Sequence, residues 1–236
     1  MRVEQLNEEG WAKTYLVVDE NTNEACLVDP VYDFTQSYLQ LMDVQGLTLK
    51  YAISTHTHAD HITGCFTLKD ETGCEYVMWK ETASMGVSKY VDESSILEFA
   101  GDSFKFHHVP GHTADSMIVE IGSHIFTGDF LFTGPGGVGR DDLPSGRMKD
   151  HWNSIGVLSR FSGDVMVLTG HDPPGTQMQT LDWNRSNNPI LKMKSLEQYR
   201  DWQKESVEQL GYVSKIKVAL PANIFGELPD AIPWLD

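Results

Sequence analysis

Ser54-Thr-His-Thr-His-Ala-Asp-His-Ile-Thr-Gly64 places three histidines and one aspartate, His56, His58, Asp60 and His61, within six residues. The stretch before it, Leu47-Thr-Leu-Lys-Tyr-Ala-Ile53, is β-branched and apolar in character and predicts a buried strand. The cluster therefore sits where a strand gives way to a loop, the position from which α/β proteins project functional side chains. In an extended segment residues two apart share a side, so His56 and His58 point together and Asp60 can follow them. Imidazole and carboxylate are standard ligands for zinc and iron, and four of them converging predict a metal site. A surface loop that gathered histidines by chance is the plainer alternative, and later fragments of the chain weigh against it.

With 236 residues the chain can form one large α/β domain or two small ones. Its apolar fraction of 40% suits a globular protein with a sizeable core. Eighteen basic against 34 acidic residues give a net charge of −16. That balance speaks against nucleic acid and anionic membrane surfaces as partners, because both present phosphate. Met1-Arg-Val-Glu-Gln-Leu-Asn-Glu-Glu-Gly10 is acidic and mixed, unlike a charged-then-apolar leader. No apolar run approaches the ~20 residues of a bilayer span. Three cysteines, Cys26, Cys65 and Cys74, are odd in number and form no CxxC pair. A disulfide framework is not expected, and a reducing cytoplasm is the simplest compartment. Cys65 lies four residues after His61 but reads as a buried, inert thiol, the usual state of free cysteine.

Along the chain, short strands are expected at 14–18 and 25–28, joined by the turn Asp19-Glu-Asn-Thr-Asn23. Asp29-Pro30 breaks the second of them. Helical spacing predicts a helix over 34–45 with Gly46 as C-cap, and another over 62–70 ending near Gly73. A strand follows at 75–78, then an ambiguous polar stretch over 81–93. Further strands are expected at 95–99, 104–109, 117–121 and 124–127, separated by turns at Gly101-Asp102 and Gly122-Ser123. Phe132-Thr-Gly-Pro-Gly-Gly-Val-Gly139 lacks the ending of a phosphate-binding loop and reads as a shaped loop near the site. A helix over 150–161, a buried strand over 164–168 and a helix over 195–210 complete the pattern. Ser195 and Gln198 mark a capping box on the last of these. The tail from Pro221 is expected to wrap the domain. No composition shift marks a boundary, so residues 1–236 read as one domain with a short C-terminal extension over about 195–236. Strands and helices alternate without a sustained parallel βαβ rhythm, which predicts two packed sheets with helices outside.

Three later fragments each place a ligand-type residue after a strand and beside glycine. They are Pro110-Gly-His112-Thr, Thr127-Gly-Asp129 and Thr169-Gly-His171-Asp172. Singly each is weak, since a lone histidine after a strand is more often structural. Joined to the opening cluster, they supply five histidines and two aspartates, enough for one complete metal site or two adjacent ones.

Thr55-His-Thr-His-Ala-Asp-His61, followed by Gly111-His112-Thr113, Thr127-Gly128-Asp129 and Gly170-His171-Asp172, resembles the five-motif pattern of the metallo-β-lactamase superfamily. The likeness runs over about residues 14–172. It implies an α/β fold, a four-layer αββα sandwich with metal at the edge of the two sheets. Two branches compete: thioester hydrolases like glyoxalase II, and persulfide dioxygenases. Gly137-Val-Gly-Arg140-Asp-Asp-Leu is similar to a Gly-x-Gly-Arg-x-Asp segment of the dioxygenases, and Val218-Ala-Leu-Pro-Ala-Asn223 resembles a terminal motif of that branch. Residues 172–236 show a single clear helix, fewer than the helical domain of glyoxalase II would need.

The dioxygenase resemblance implies His56, His112 and Asp129 as ligands of one Fe(II), with His58, Asp60, His61 and His171 as their polar support. It further implies Arg140 as the partner of a carboxylate on the thiol carrier. Substrates would be a thiol persulfide, glutathione persulfide in the first instance, and O2, with sulfite and free thiol as products; a homodimer is the family expectation. The hydrolase resemblance implies two Zn(II) instead. His56, His58 and His112 would hold one, Asp60, His61 and His171 the other, and Asp129 would bridge them. Three features depart from the family pattern, one of them a longer loop over Thr133 to Gly137. Pro173 stands where glutathione-using members commonly carry tyrosine, and Ala114-Asp115-Ser116 replaces the usual Pro-Gly-Ser.

Overall fold

A computed structural model describes residues 1–7 and 12–235. Twelve strands form two mixed six-stranded sheets. The first contains β1 (Arg2–Gln5), β2 (Tyr15–Val18), β3 (Glu24–Val28), β4 (Thr48–Ile53), β5 (Glu75–Trp79) and β6 (Lys89–Val91), in sequence order across the sheet. The second contains β7 (Ile96–Phe99), β8 (Asp102–His108), β9 (Met117–Ile121), β10 (His124–Gly128), β11 (Met166–Thr169) and β12 (Gln179–Thr180), also in sequence order. The helices are α1 (Thr35–Gln45), α2 (Cys65–Thr72), α3 (Met148–Ser154), α4 (Leu181–Asn187), α5 (Leu196–Leu210) and α6 (Ile216–Phe225).

Strand alternation sorts the core into three layers. Tyr15, Val17, Cys26 and Val28 face inward and meet Phe104, Phe106, Val119 and Phe126 of the second sheet. Their neighbours Leu16, Val18, Ala25 and Leu27 face outward onto Tyr38 and Met42 of α1, Phe66 and Leu68 of α2, and Ala219 and Ala222 of α6. The outer face of the second sheet, with Ile118, Ile125 and Val167, is covered by Leu158, Leu181 and Tyr199. The result is the expected helix–sheet–sheet–helix sandwich.

Four expectations are corrected. β3, β4, β5 and β6 pair in parallel, so a βαβ rhythm runs through the first sheet after all. Its crossovers, α1, α2 and the polar loop before β6, are too unequal in length for the repeat to show. The helix expected over 150–161 is α3 and a 3-10 turn at Ile155–Arg160. α2 opens at Cys65, because Thr63 is held by a bridge to Val31. After His171 there are three α-helices, α4, α5 and α6, in place of one; Pro221 lies inside α6, and Ile232 and Trp234 of the tail pack on the outer face of the first sheet. All three cysteines are buried and unpaired, and burial pushes the Cys65 thiol up. No helix among the described residues is long and apolar enough to cross a membrane.

Candidate metal centre

Every motif residue sits just beyond the end of a strand. β4 delivers residues 54–61, β8 leads to His112, β10 ends at Gly128 before Asp129, and β11 ends at Thr169 before His171. β10 and β11 are parallel and pair Gly128 with Thr169, which places Asp129 and His171 side by side. Two groups of donors result: His56, His112 and Asp129, and beside them His58, Asp60 and His61.

In the first group each residue keeps one donor atom free and spends the other on the protein. Thr55 Oγ1 donates its only proton to Asp29 Oδ2 at 2.8 Å, so it must accept from His56 Nδ1 at 2.9 Å. His56 therefore carries its proton on Nδ1 and a lone pair on Nε2. His112 Nδ1 donates to the Arg140 carbonyl at 2.7 Å, which fixes the same tautomer. Asp129 Oδ1 accepts from His171 Nδ1 at 2.7 Å and leaves Oδ2 facing His112 Nε2 at 3.5 Å and His56 Nε2 at 4.0 Å. Such outer partners are what orient ligands in metal sites. His56 Nε2 is buried without a hydrogen-bond partner, a cost that a bound cation would remove. Two imidazole nitrogens and one carboxylate oxygen, all buried and aimed inward, fit a divalent metal ion.

The second group is built differently. His61 Nδ1 bonds Asp60 Oδ2 at 3.0 Å, while His61 Nε2 and both nitrogens of His58 are buried without partners. His58 Nε2 lies 3.3 Å from Asp29 Oδ1 without the alignment of a hydrogen bond. His171 spans the groups, with Nδ1 donating to Asp129 Oδ1 and Nε2 to Asp60 Oδ2 at 2.9 Å. Burial alone would lower the pKa of His171; Asp129 and Asp60 outweigh it and hold the ring well above the ordinary value. Burial would likewise raise Asp129 and Asp60, but the surrounding histidines keep both carboxylates below their usual range. His56 is lowered by burial and by His58 beside it.

Bare backbone makes the close approach possible at two positions. A Cβ on Gly139 would lie 2.2 Å from the Asp129 carbonyl and 2.8 Å from His112 Nδ1, and one on Gly170 would lie 2.4 Å from Asp129 Oδ1. The glycine-rich loop thus belongs to the site, as expected. Arg140 reaches the same place, but its guanidinium is held by Asp142, at 2.6 Å and 2.8 Å, and by the Gly211 carbonyl at 2.8 Å. A cavity of about 800 Å3 opens over the donors and is walled by apolar side chains including Val31, Phe132, Val138, Leu143, Leu210 and Val213.

Two supporting residues lay outside the sequence reading. Asp29 appeared only as a strand breaker, yet it accepts from the Thr55 backbone N–H at 2.7 Å as well as from its hydroxyl. Asn223 appeared only as part of a terminal motif. Its Nδ2 donates to the carbonyls of His58 and His61, both at 2.9 Å, and its Oδ1 accepts from Thr63 N at 2.9 Å. Its separation of 160 residues or more from these partners leaves no local signal.

The family model described as the metallo-beta-lactamase superfamily matches residues 12–171. The human protein named persulfide dioxygenase ETHE1, mitochondrial, is 30% identical over 220 residues, covering 89% of this chain and 82% of the relative. A hydroxyacylglutathione hydrolase, GloC of Haemophilus influenzae, is 28% identical over 206 residues, covering 76% of this chain and 92% of the relative. The crystal structure of ETHE1 from Myxococcus xanthus superposes with a TM-score of 0.87 at 30% identity, covering 95% of this chain and 98% of that one. A match that takes in every strand-end motif from His56 to His171, on a sandwich that superposes along nearly its whole length, places this chain in the metallo-beta-lactamase superfamily.

Proposed function

We propose that this chain is a persulfide dioxygenase that uses one Fe(II), held by His56, His112 and Asp129, to oxidise a thiol persulfide. The balanced reaction is RSSH + O2 + H2O → RSH + SO3²⁻ + 2 H⁺, with glutathione persulfide as the first substrate to test. The observation that carries this reading is the group His56 Nε2, His112 Nε2 and Asp129 Oδ2, each left free by the hydrogen bond that its other atom makes to the protein, with His112 and Asp129 on the cavity wall. The names of relatives at 30% identity support the chemistry. Iron(II) held by such a triad would supply one-electron redox chemistry with O2.

The chain's own residues prepare that chemistry. Thr55 and the Arg140 carbonyl hold the two histidines as Nε2 donors. His171 keeps Asp129 turned so that Oδ2 faces them, and holds a proton at each ring nitrogen toward Asp129 and Asp60. The apolar walls restrict water around a persulfide, which reacts best as a poorly hydrated anion. Arg140 borders the cavity, and its carbonyl serves His112 whether or not its side chain meets substrate.

A dinuclear zinc hydrolase is the second reading, favoured by the partnerless nitrogens of His58 and His61. For it His171 would have to release Asp60 to offer a lone pair. Metal analysis of protein purified without chelator separates the two. About one iron per chain and no thioester hydrolysis support the dioxygenase; about two zincs with hydrolysis of a glutathione thioester reject it.

A further inference from the structure

We infer that Lys215 is the residue that selects the thiol carrier, by pairing with a carboxylate that the carrier holds away from its sulfur. The inference rests on the persulfide reading for its reaction, and on the cavity's charges for its site. Each other charged group on the cavity wall already has a partner. Asp129 and Asp60 share His171. Asp172 is paired with buried Lys13 at 3.0 Å. Arg140 is closed by Asp142 and Gly211, and Asp33 accepts from Trp234 Nε1 at 3.3 Å.

Lys215 is the exception: among the described residues it has no ion pair and no side-chain hydrogen bond. Its ammonium rests over the Trp234 ring, 4.5 Å from the centroid, a contact that orients the side chain without neutralising it. It stands immediately before α6, whose positive end adds to the field there. Lys215 borders the same cavity as His112 and Asp129, and that wall also carries the apolar side chains of Val213 and Leu210 from its own segment and of Phe132 and Val138. A ligand filling this space therefore has an anionic head at Lys215, an apolar or peptide body, and its sulfur at the donors. The chain as a whole carries −16, so an anionic substrate gains nothing from the global field and needs a local cation.

The partner chemistry is a carboxylate-bearing thiol, for which glutathione and its dimethyl ester are the probes. Iron-loaded wild type should turn over glutathione persulfide with a kcat/KM about 10-fold above that of the dimethyl-ester persulfide, the size expected for one charge-assisted contact at a partly exposed site. Lys215→Ala should abolish that preference and Lys215→Arg should restore it. Calorimetry with reduced glutathione and its ester, on wild type and Lys215→Ala, tests the same contact without turnover. If no persulfide drives O2 uptake but Lys215→Ala weakens glutathione binding about 10-fold, the carrier site stands and only the reaction is wrong. Acid over ester preference that survives in Lys215→Ala, in turnover or in binding, overturns the inference, as does wild type that binds neither probe.

Discussion

Both ring nitrogens of His171 are engaged by carboxylates, so deleting this side chain separates a supporting role from a ligand role. His171→Ala is expected to keep about one iron per chain by metal analysis while losing most activity, because Asp129 loses the bond that orients it. Loss of the iron itself would make His171 a ligand. Thr55→Val tests the opposite edge of the site. It keeps the shape but removes the acceptor for His56 Nδ1, and chelator competition should show metal affinity lower by about 10–100-fold. The candidate donors themselves were legible in the sequence because imidazole and carboxylate declare their chemistry wherever they stand. What each ring nitrogen does was not, since that depends on partners such as the Arg140 carbonyl, which carries no side-chain signature. Asp29 illustrates the same limit: with Pro30 after it, it read as punctuation, while its left-handed backbone (φ 51°) turns its carboxylate toward Thr55.

At the scale of elements, α6 is the strut of the histidine loop. Asn223 satisfies two carbonyls and one N–H that neither sheet nor helix reaches. Asn223→Ala should cost about 2–4 kcal/mol and lower Tm by roughly 5–10 °C, with scanning calorimetry as the measurement. A Tm within about 1 °C of wild type would mean water replaces the clasp. α3 plays the matching part on the other side, where buried His151 Nε2 donates to the Phe130 carbonyl at 3.0 Å, one residue from Asp129. Burial pulls His151 down to about 4 from its ordinary 6.5, so the fold favours the neutral ring. Its contribution is complete above pH 6.5 and is lost as the pH falls toward 4, because the unfolded chain binds the proton first. Denaturant midpoints measured across that window should fall less steeply in His151→Leu than in wild type. Helix ends marked by local chemistry were legible, as with Gly46, which closes α1 in a left-handed conformation, and Ser195, whose Oγ accepts from Gln198 N. α4 escaped notice because its seven residues hold too few apolar positions for a period.

For the whole molecule, the sandwich explains why histidines and aspartates scattered from His56 to His171 meet at all. Strands β4, β10 and β11 end at one rim, and the loops beyond them, with that leading to His112, close around a common point. The two-sheet architecture was visible in the runs of short strands set among helices, whereas the parallel pairings of the first sheet were hidden by crossovers that share no repeat length. The same rim receives the C-terminal segment, which supplies one cavity wall through Leu210, Val213 and Lys215 and braces the metal loop through Asn223. One stretch of chain thereby both lines the cavity and holds the histidine loop. Oxidation of persulfide sulfur with O2 is the activity proposed for this assembly. An oxygen electrode, with the protein loaded anaerobically with iron and then given glutathione persulfide, tests it most directly. One O2 should be consumed and one sulfite and one thiol released per persulfide; no O2 uptake with any persulfide, alongside hydrolysis of a glutathione thioester, would reject the dioxygenase reading.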